Sequence, residues 1–129
     1  MLLTSIYAGV LALVFLVLSI RVIQGRSAAG VSLGDGGDGR LNRRIRAHAN
    51  FAEYVPICLG LVALLEVGGA PTWLLHTLGI ALVIGRIGHG YALAFAEHFP
   101  PGRMVGTLLT FLVLLIGALG CLLLPFLSV

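Results

Sequence analysis

The stretch Arg46-Ala47-His48-Ala49-Asn50-Phe51-Ala52-Glu53-Tyr54-Val55-Pro56 decides how the whole chain is read. Arg46, Asn50 and Glu53 stand at i, i+4 and i+7, which sets them on one stripe of a helix. The sequence then runs on through an apolar stretch, residues 54–65. A helix that begins with ionisable residues along one face and continues in hydrocarbon-like sequence is a membrane helix with a polar side. It is expected over about residues 41–67, with Arg43, Arg44 and His48 in its opening turns.

The surroundings agree. The chain has 129 residues, 59% hydrophobic and only 10% charged, with a mean hydropathy of +1.09. A soluble domain carries about 25% charged residues, so a water-soluble globule is excluded and an integral membrane protein is implied. Towards the N-terminus, residues 1–20 carry no charge, enough at ~1.5 Å per residue to cross a ~30 Å hydrocarbon layer. A first helix is therefore expected at about 2–23. Arginine follows it and does not precede it, the mark of an uncleaved anchor and not of a signal peptide.

Residues 24–40 shift to Gly, Ser and Asp, including Gly34-Asp35-Gly36-Gly37-Asp38-Gly39, and read as a solvated loop. A calcium loop is excluded because the alternating acid ligands and closing glutamate are missing. Towards the C-terminus, Gly68-Gly69-Ala70-Pro71 breaks the chain before a third helix at about 72–96, with Trp73 at interface depth. Phe99-Pro100-Pro101-Gly102 separates it from a fourth at about 103–126. The expected fold is all-α, a single domain over 1–129 forming an integral membrane four-helix bundle.

All eight basic residues are arginines. Six of them (21, 26, 40, 43, 44 and 46) lie in or beside the first loop and Arg103 borders the third, while the second loop has none. The positive-inside rule then puts loops one and three in the cytoplasm and both termini outside. Arg21, Arg40, Arg43 and Arg44 read as headgroup anchors. Because the arginines track topology, a nucleic-acid partner is not implied. Cys58 and Cys121 sit in apolar runs and read as core residues, with no metal site.

An ionisable side chain inside a span costs about 2.5–3.5 kcal/mol on insertion scales, so it persists where it meets a cavity or a partner. Antiparallel helices bring Arg26, Arg46, Arg86, His89 and Arg103 to the cytoplasmic half, with Asn50, Tyr91 and the single acid Glu53. Positive charge exceeds negative, as a pocket for an anion requires. Two plainer readings stand beside this one: Arg46, Asn50 and Glu53 as an internal ion pair joining helices, and His89 as a packed core histidine.

The string from Arg46 to Pro56 resembles the signature of the MAPEG family, membrane-associated proteins in eicosanoid and glutathione metabolism: Arg-Ala-x-x-Asn-x-x-Glu followed by proline in the second of four helices. Arg86-Ile87-Gly88-His89 is similar to the Arg-x-x-His of its prostaglandin E synthase members. Pro101-Gly102-Arg103 is similar to the Pro-x-Arg that opens their fourth helix. Val22-Ile23-Gln24-Gly25-Arg26 looks like the end of the first helix in the leukotriene C synthases. The likeness covers essentially the whole chain and is nearest to the bacterial members.

The resemblance implies a homotrimer in a bacterial inner membrane, with glutathione as co-substrate held between subunits and a lipophilic second substrate entering from the bilayer lipids. Arg46, Asn50, Glu53 and Tyr54 would line the glutathione site, completed by Arg26, His48, Arg86, His89, Tyr91 and Arg103. Arg103 would hold the thiolate. No metal is involved. The chemistry suits the ligand: arginine forks match two carboxylates, Glu53 matches an ammonium, and Arg103 at a helix N-terminus lowers a thiol pKa from about 8.5.

The family's prostaglandin E synthases place a serine after that arginine where this chain has Met104, so simple thiol transfer or peroxide reduction is implied over hydroxyl-dependent isomerisation. The implied activity is a membrane-bound glutathione transferase or peroxidase. The alternative is a non-catalytic lipid-binding protein of the same fold. A small multidrug exporter of similar length is excluded, because its coupling acid belongs in the first helix and none is there.

Overall fold

A computed structural model describes residues 2–127, which form four helices: α1 (Leu2–Ala29), α2 (Gly39–Val67), α3 (Thr72–Ala94) and α4 (Pro100–Leu127). All four are long and apolar enough to cross a membrane. They alternate in direction, so the C-terminal ends of α1 and α3 meet the N-terminal ends of α2 and α4. The central pair is α2 with α3; α1 and α4 flank it on either side and do not touch each other.

The first helix runs six residues beyond the expected 23, because Gln24–Ala29 contains one glycine and nothing that stops a helix. Gly25 is buried where α2 crosses, with Leu41 and Arg44 against it. The helix ends instead at Gly30, whose φ of +66° is the left-handed turn that an L side chain resists. Val31 N–H then donates to Arg26 O at 3.1 Å and closes the end. This shortens the loop to residues 30–38. Asp38 caps α2, its carboxylate accepting from the N–H of Arg40 (2.8 Å) and Leu41 (3.0 Å).

Two other boundaries shift. The Pro100-Pro101 pair does not separate the helices but opens α4, since proline lacks only an N–H that the first turn leaves unbonded. The true break is residues 95–99, and α3 stops two residues early, at Ala94.

The core is a seam of α2 residues Ala47, Phe51, Val55, Cys58, Val62 and Leu65, all buried. Their steps of three or four residues keep one face turned inward. Leu11 and Leu18 of α1, Leu78 and Leu82 of α3 and Val113 of α4 pack against it. At the end of the bundle away from the arginines Glu66 stitches α2 to α1, accepting from Leu3 N–H (2.9 Å), Thr4 N–H (2.9 Å) and Thr4 Oγ1 (2.6 Å).

Between α3 and α4 the backbones approach closely at Gly85 and Gly106. A Cβ on Gly106 would run into Gly85 O and lie 2.7 Å from His89 Cβ. Substitution Gly106→Ala is therefore expected to cost about 1–3 kcal/mol by forcing the helices apart, read as a lowered midpoint of thermal unfolding in detergent. An unchanged midpoint would mean that α3 and α4 are not held this close.

Candidate functional site: a cationic pocket among three helices

The pocket is built at the arginine-rich end. Its anchor is Arg86, only 2% exposed. Its guanidinium donates to Asn50 Oδ1 at 2.6 Å and to Gly106 O at 3.3 Å, so one α3 side chain ties α2 and α4 to fixed positions. Among the described residues, the buried Arg86 Nε has no hydrogen-bond partner and the guanidinium forms no salt bridge. A buried cation held by neutral acceptors is an expensive arrangement.

In front of Arg86 lies a cavity of about 220 Å³ lined by Asn42, Arg43, Arg46, Asn50, His89, Leu93 and Arg103. Three arginines face it and no carboxylate does. Through Arg43, Leu93 and Arg103 it adjoins a second cavity of about 470 Å³, where Phe99, Met104, Leu108 and Phe111 supply apolar walls. Arg103 lies in the first turn of α4, where the unbonded N–H groups of the helix reinforce its positive charge. Polar recess and apolar annex thus meet at Arg103.

Of the residues singled out from sequence, Arg46, Asn50, His89 and Arg103 come together in the polar cavity, with Arg86 directly behind. The others lie elsewhere within the protomer. Arg26 donates to Gly34 O at 2.5 Å and orders the first loop. His48 faces α1, 3.1 Å from Ser19 Oγ, and stacks on Phe15 at 4.5 Å between ring centroids. Tyr54 rests against Phe111 of α4. Tyr91 lies against Phe95 and Phe99, on the side towards α1.

Glu53 is exposed on α2 and, among the described residues, bonds to nothing in its own chain. The ion pair weighed for Arg46 and Glu53 does not form; the link between helices is Arg86 to Asn50 instead. His89 is 4% exposed and buried at the α3–α4 contact, yet it also borders the cavity.

Sequence reasoning missed Asn42 and Arg43 as lining residues. The signal was present, since Asn42, Arg46 and Asn50 repeat every fourth residue and Arg43 falls three before Arg46. The reading of Arg21, Arg43 and Arg44 as headgroup anchors alone is corrected as well. Arg21 donates to Ala94 O at 2.9 and 3.2 Å, and Arg43 to Ala92 O at 2.7 Å and Ala96 O at 3.2 Å. Arg44 donates to Arg21 O at 3.2 Å. Arg21 and Arg43 satisfy carbonyls that the C-terminal end of α3 leaves open, while Arg44 ties α2 to the body of α1, and sequence spacing within one helix reveals neither.

Comparison with known proteins agrees with this architecture. Residues 4–123 match the MAPEG family. The chain is 40% identical over 88 residues to the inner membrane protein YecN of Escherichia coli strain K12, covering 68% of this chain and 67% of the relative. The same figures hold for YecN of E. coli O6:H1. No solved structure matches.

Proposed function

The chain belongs to the MAPEG family, and from that premise we propose that it is a membrane-bound glutathione transferase, with glutathione-dependent peroxidase chemistry open to the same thiolate. The observation that carries the reading is the cavity lined by Arg43, Arg46, Asn50, His89 and Arg103 with no carboxylate among its lining residues. Glutathione brings two carboxylates and a thiol. Arginine forks pair with the carboxylates, and Arg103 beside a helix N-terminus favours the thiolate over the thiol.

In the proposed transfer the thiol proton leaves to solvent, the sulfur forms a bond to the electrophilic carbon, and the leaving group departs with its electron pair. With a lipid hydroperoxide, the thiolate attacks the peroxide oxygen and displaces alkoxide, which is protonated to the alcohol. The sulfur takes up the terminal hydroxyl as a sulfenic acid, which a second glutathione converts to disulfide and water. The cavity beside Phe99, Met104 and Phe111 suits the apolar part of either substrate.

The proposed assembly is a homotrimer in a bacterial inner membrane, its pocket towards the cytoplasm and both termini outside. Support comes from Arg46, Glu53 and Arg103, which are exposed on membrane-spanning helices. Glu53 lies midway along α2, where a charge facing lipid costs about 2.5–3.5 kcal/mol, whereas a neighbouring subunit and a bound tripeptide give all three partners. Glu53 would receive the ammonium of glutathione there, and Arg26, His48, Tyr54 and Tyr91 would belong to the assembled site or to its walls.

Calorimetric titration of the detergent-purified protein with glutathione tests this reading. Binding is expected, weakened about tenfold or more by Arg46→Ala, the loss of one charge-assisted contact. Arg46→Lys recovers only part of it, because an ammonium cannot match a carboxylate bidentately. Absence of binding by the unsubstituted protein would favour a non-catalytic lipid-binding protein of the same fold.

A further inference from the structure

A second cationic cavity lies at the same end of the bundle, on the side of α1 and α3. It measures about 490 Å³ and is lined by Arg21, Arg40, Arg43, Arg44, Phe95 and Glu97, among others. Four guanidinium groups face one carboxylate there. That carboxylate is bound at the rim, in a 3.1 Å pair of exposed side chains between Arg40 and Glu97.

The polypeptide uses only part of this donor set. Arg43 and Arg44 each bond through a single nitrogen, which leaves their remaining N–H groups for a ligand. The cavity carries excess positive charge with donors in hand.

One wall continues into hydrocarbon. Phe95, with Arg21 4.4 Å above its ring, also closes one end of an apolar groove of about 390 Å³ between α1 and α3. That groove is lined by Val14, Val17, Leu18, Ile87 and Tyr91 and has no polar lining surface. From Val14 to Leu18 it follows α1 for about 6 Å at ~1.5 Å per residue, on a face where Val17, Ile87, Tyr91 and Phe95 are all exposed. A free anion would use the arginines and leave the groove unfilled. A zwitterionic lipid would fill the groove and bring its own cation to the arginines. Only an anionic amphiphile satisfies both halves.

We infer that this juxtaposition is a site for one anionic phospholipid, its phosphate among Arg40, Arg43 and Arg44 and the upper part of an acyl chain along the α1–α3 groove. Basic pockets between membrane helices bind anionic headgroups. Because Arg43 borders both cavities, the lipid fixes a side chain that the anion pocket shares. The inference does not depend on what occupies that pocket.

Native mass spectrometry of the delipidated protein in detergent tests it, with phosphatidylglycerol, phosphatidylcholine and inorganic phosphate as separate probes. Phosphatidylglycerol is expected to bind at least tenfold more tightly than phosphatidylcholine. The pair of substitutions Arg40→Gln and Arg44→Gln is expected to bring the two within about threefold of each other. Arg40→Gln alone, on a side chain 82% exposed, gives a smaller loss with no folding risk. Val17→Trp, at an exposed position in the groove, is expected to weaken phosphatidylglycerol binding while leaving phosphate binding unchanged. Equal binding of the two lipids, or phosphatidylglycerol binding indifferent to Val17→Trp, would overturn the proposal; the second result would identify a site for soluble anions.

Discussion

Substitution Arg103→Ala is expected to cut turnover of glutathione with a lipophilic electrophile by about 10²–10³-fold, the usual cost of removing one preorganised electrostatic stabiliser, while affinity for glutathione moves by less than about threefold. Arg103 stands where the polar cavity meets the apolar one and is fixed in the first turn of α4. On the proposed reading it meets the sulfur and not the carboxylates. Glu53→Ala should divide the other way, weakening affinity first, because its proposed partner is the ammonium at the far end of the tripeptide. Steady-state kinetics over a range of glutathione concentrations separates the two effects. Equal losses of kcat and affinity in both variants would remove the role assignment.

The second large effect concerns a residue that touches the pocket only from behind. Arg86→Met keeps most of the side-chain volume but removes the charge that holds Asn50. Glutathione binding is expected to fall about 30–100-fold, as hydrogen bonds to charged groups contribute about 1.5–3 kcal/mol each and the field of a buried cation is lost with them. Stability of the ligand-free protein is expected to change by less than about 1 kcal/mol or to rise. A buried guanidinium with an unbonded Nε and no carboxylate costs desolvation energy that methionine does not. Unfolding by a denaturing detergent reads stability, and calorimetry reads binding. A loss of several kcal/mol with binding retained would mean that Arg86 is a structural strut.

The membrane class, the number of helices and two members of the pocket on α2, Arg46 and Asn50, were legible because each rests on local information. Chargeless length marks the spans, and spacing along α2 aligns Arg46 with Asn50. Arg103 was legible for the same reason, sitting just beyond a proline pair that starts a helix. Contacts between helices were not legible. Nothing in the local sequence shows that Arg86 reaches Asn50, that Arg21 and Arg43 cap the end of α3, or that His48 turns to Ser19 of α1. Helix ends were legible to within two residues where a cap or a glycine pair sets them, as at Asp38 and at residues 68–69. The end of α1 was not, because the turn at Gly30 was hidden among nine glycine-, serine- and aspartate-rich positions that all looked alike.

The central claim is that the pocket holds glutathione as a thiolate. An ultraviolet difference titration of the detergent-purified protein with glutathione near neutral pH tests it most directly, run in parallel on Arg103→Ala. The account predicts a saturable thiolate absorbance in the unsubstituted protein that disappears in Arg103→Ala, although the variant still binds glutathione. Saturable binding with no thiolate absorbance, or an absorbance of equal size in Arg103→Ala, would contradict it.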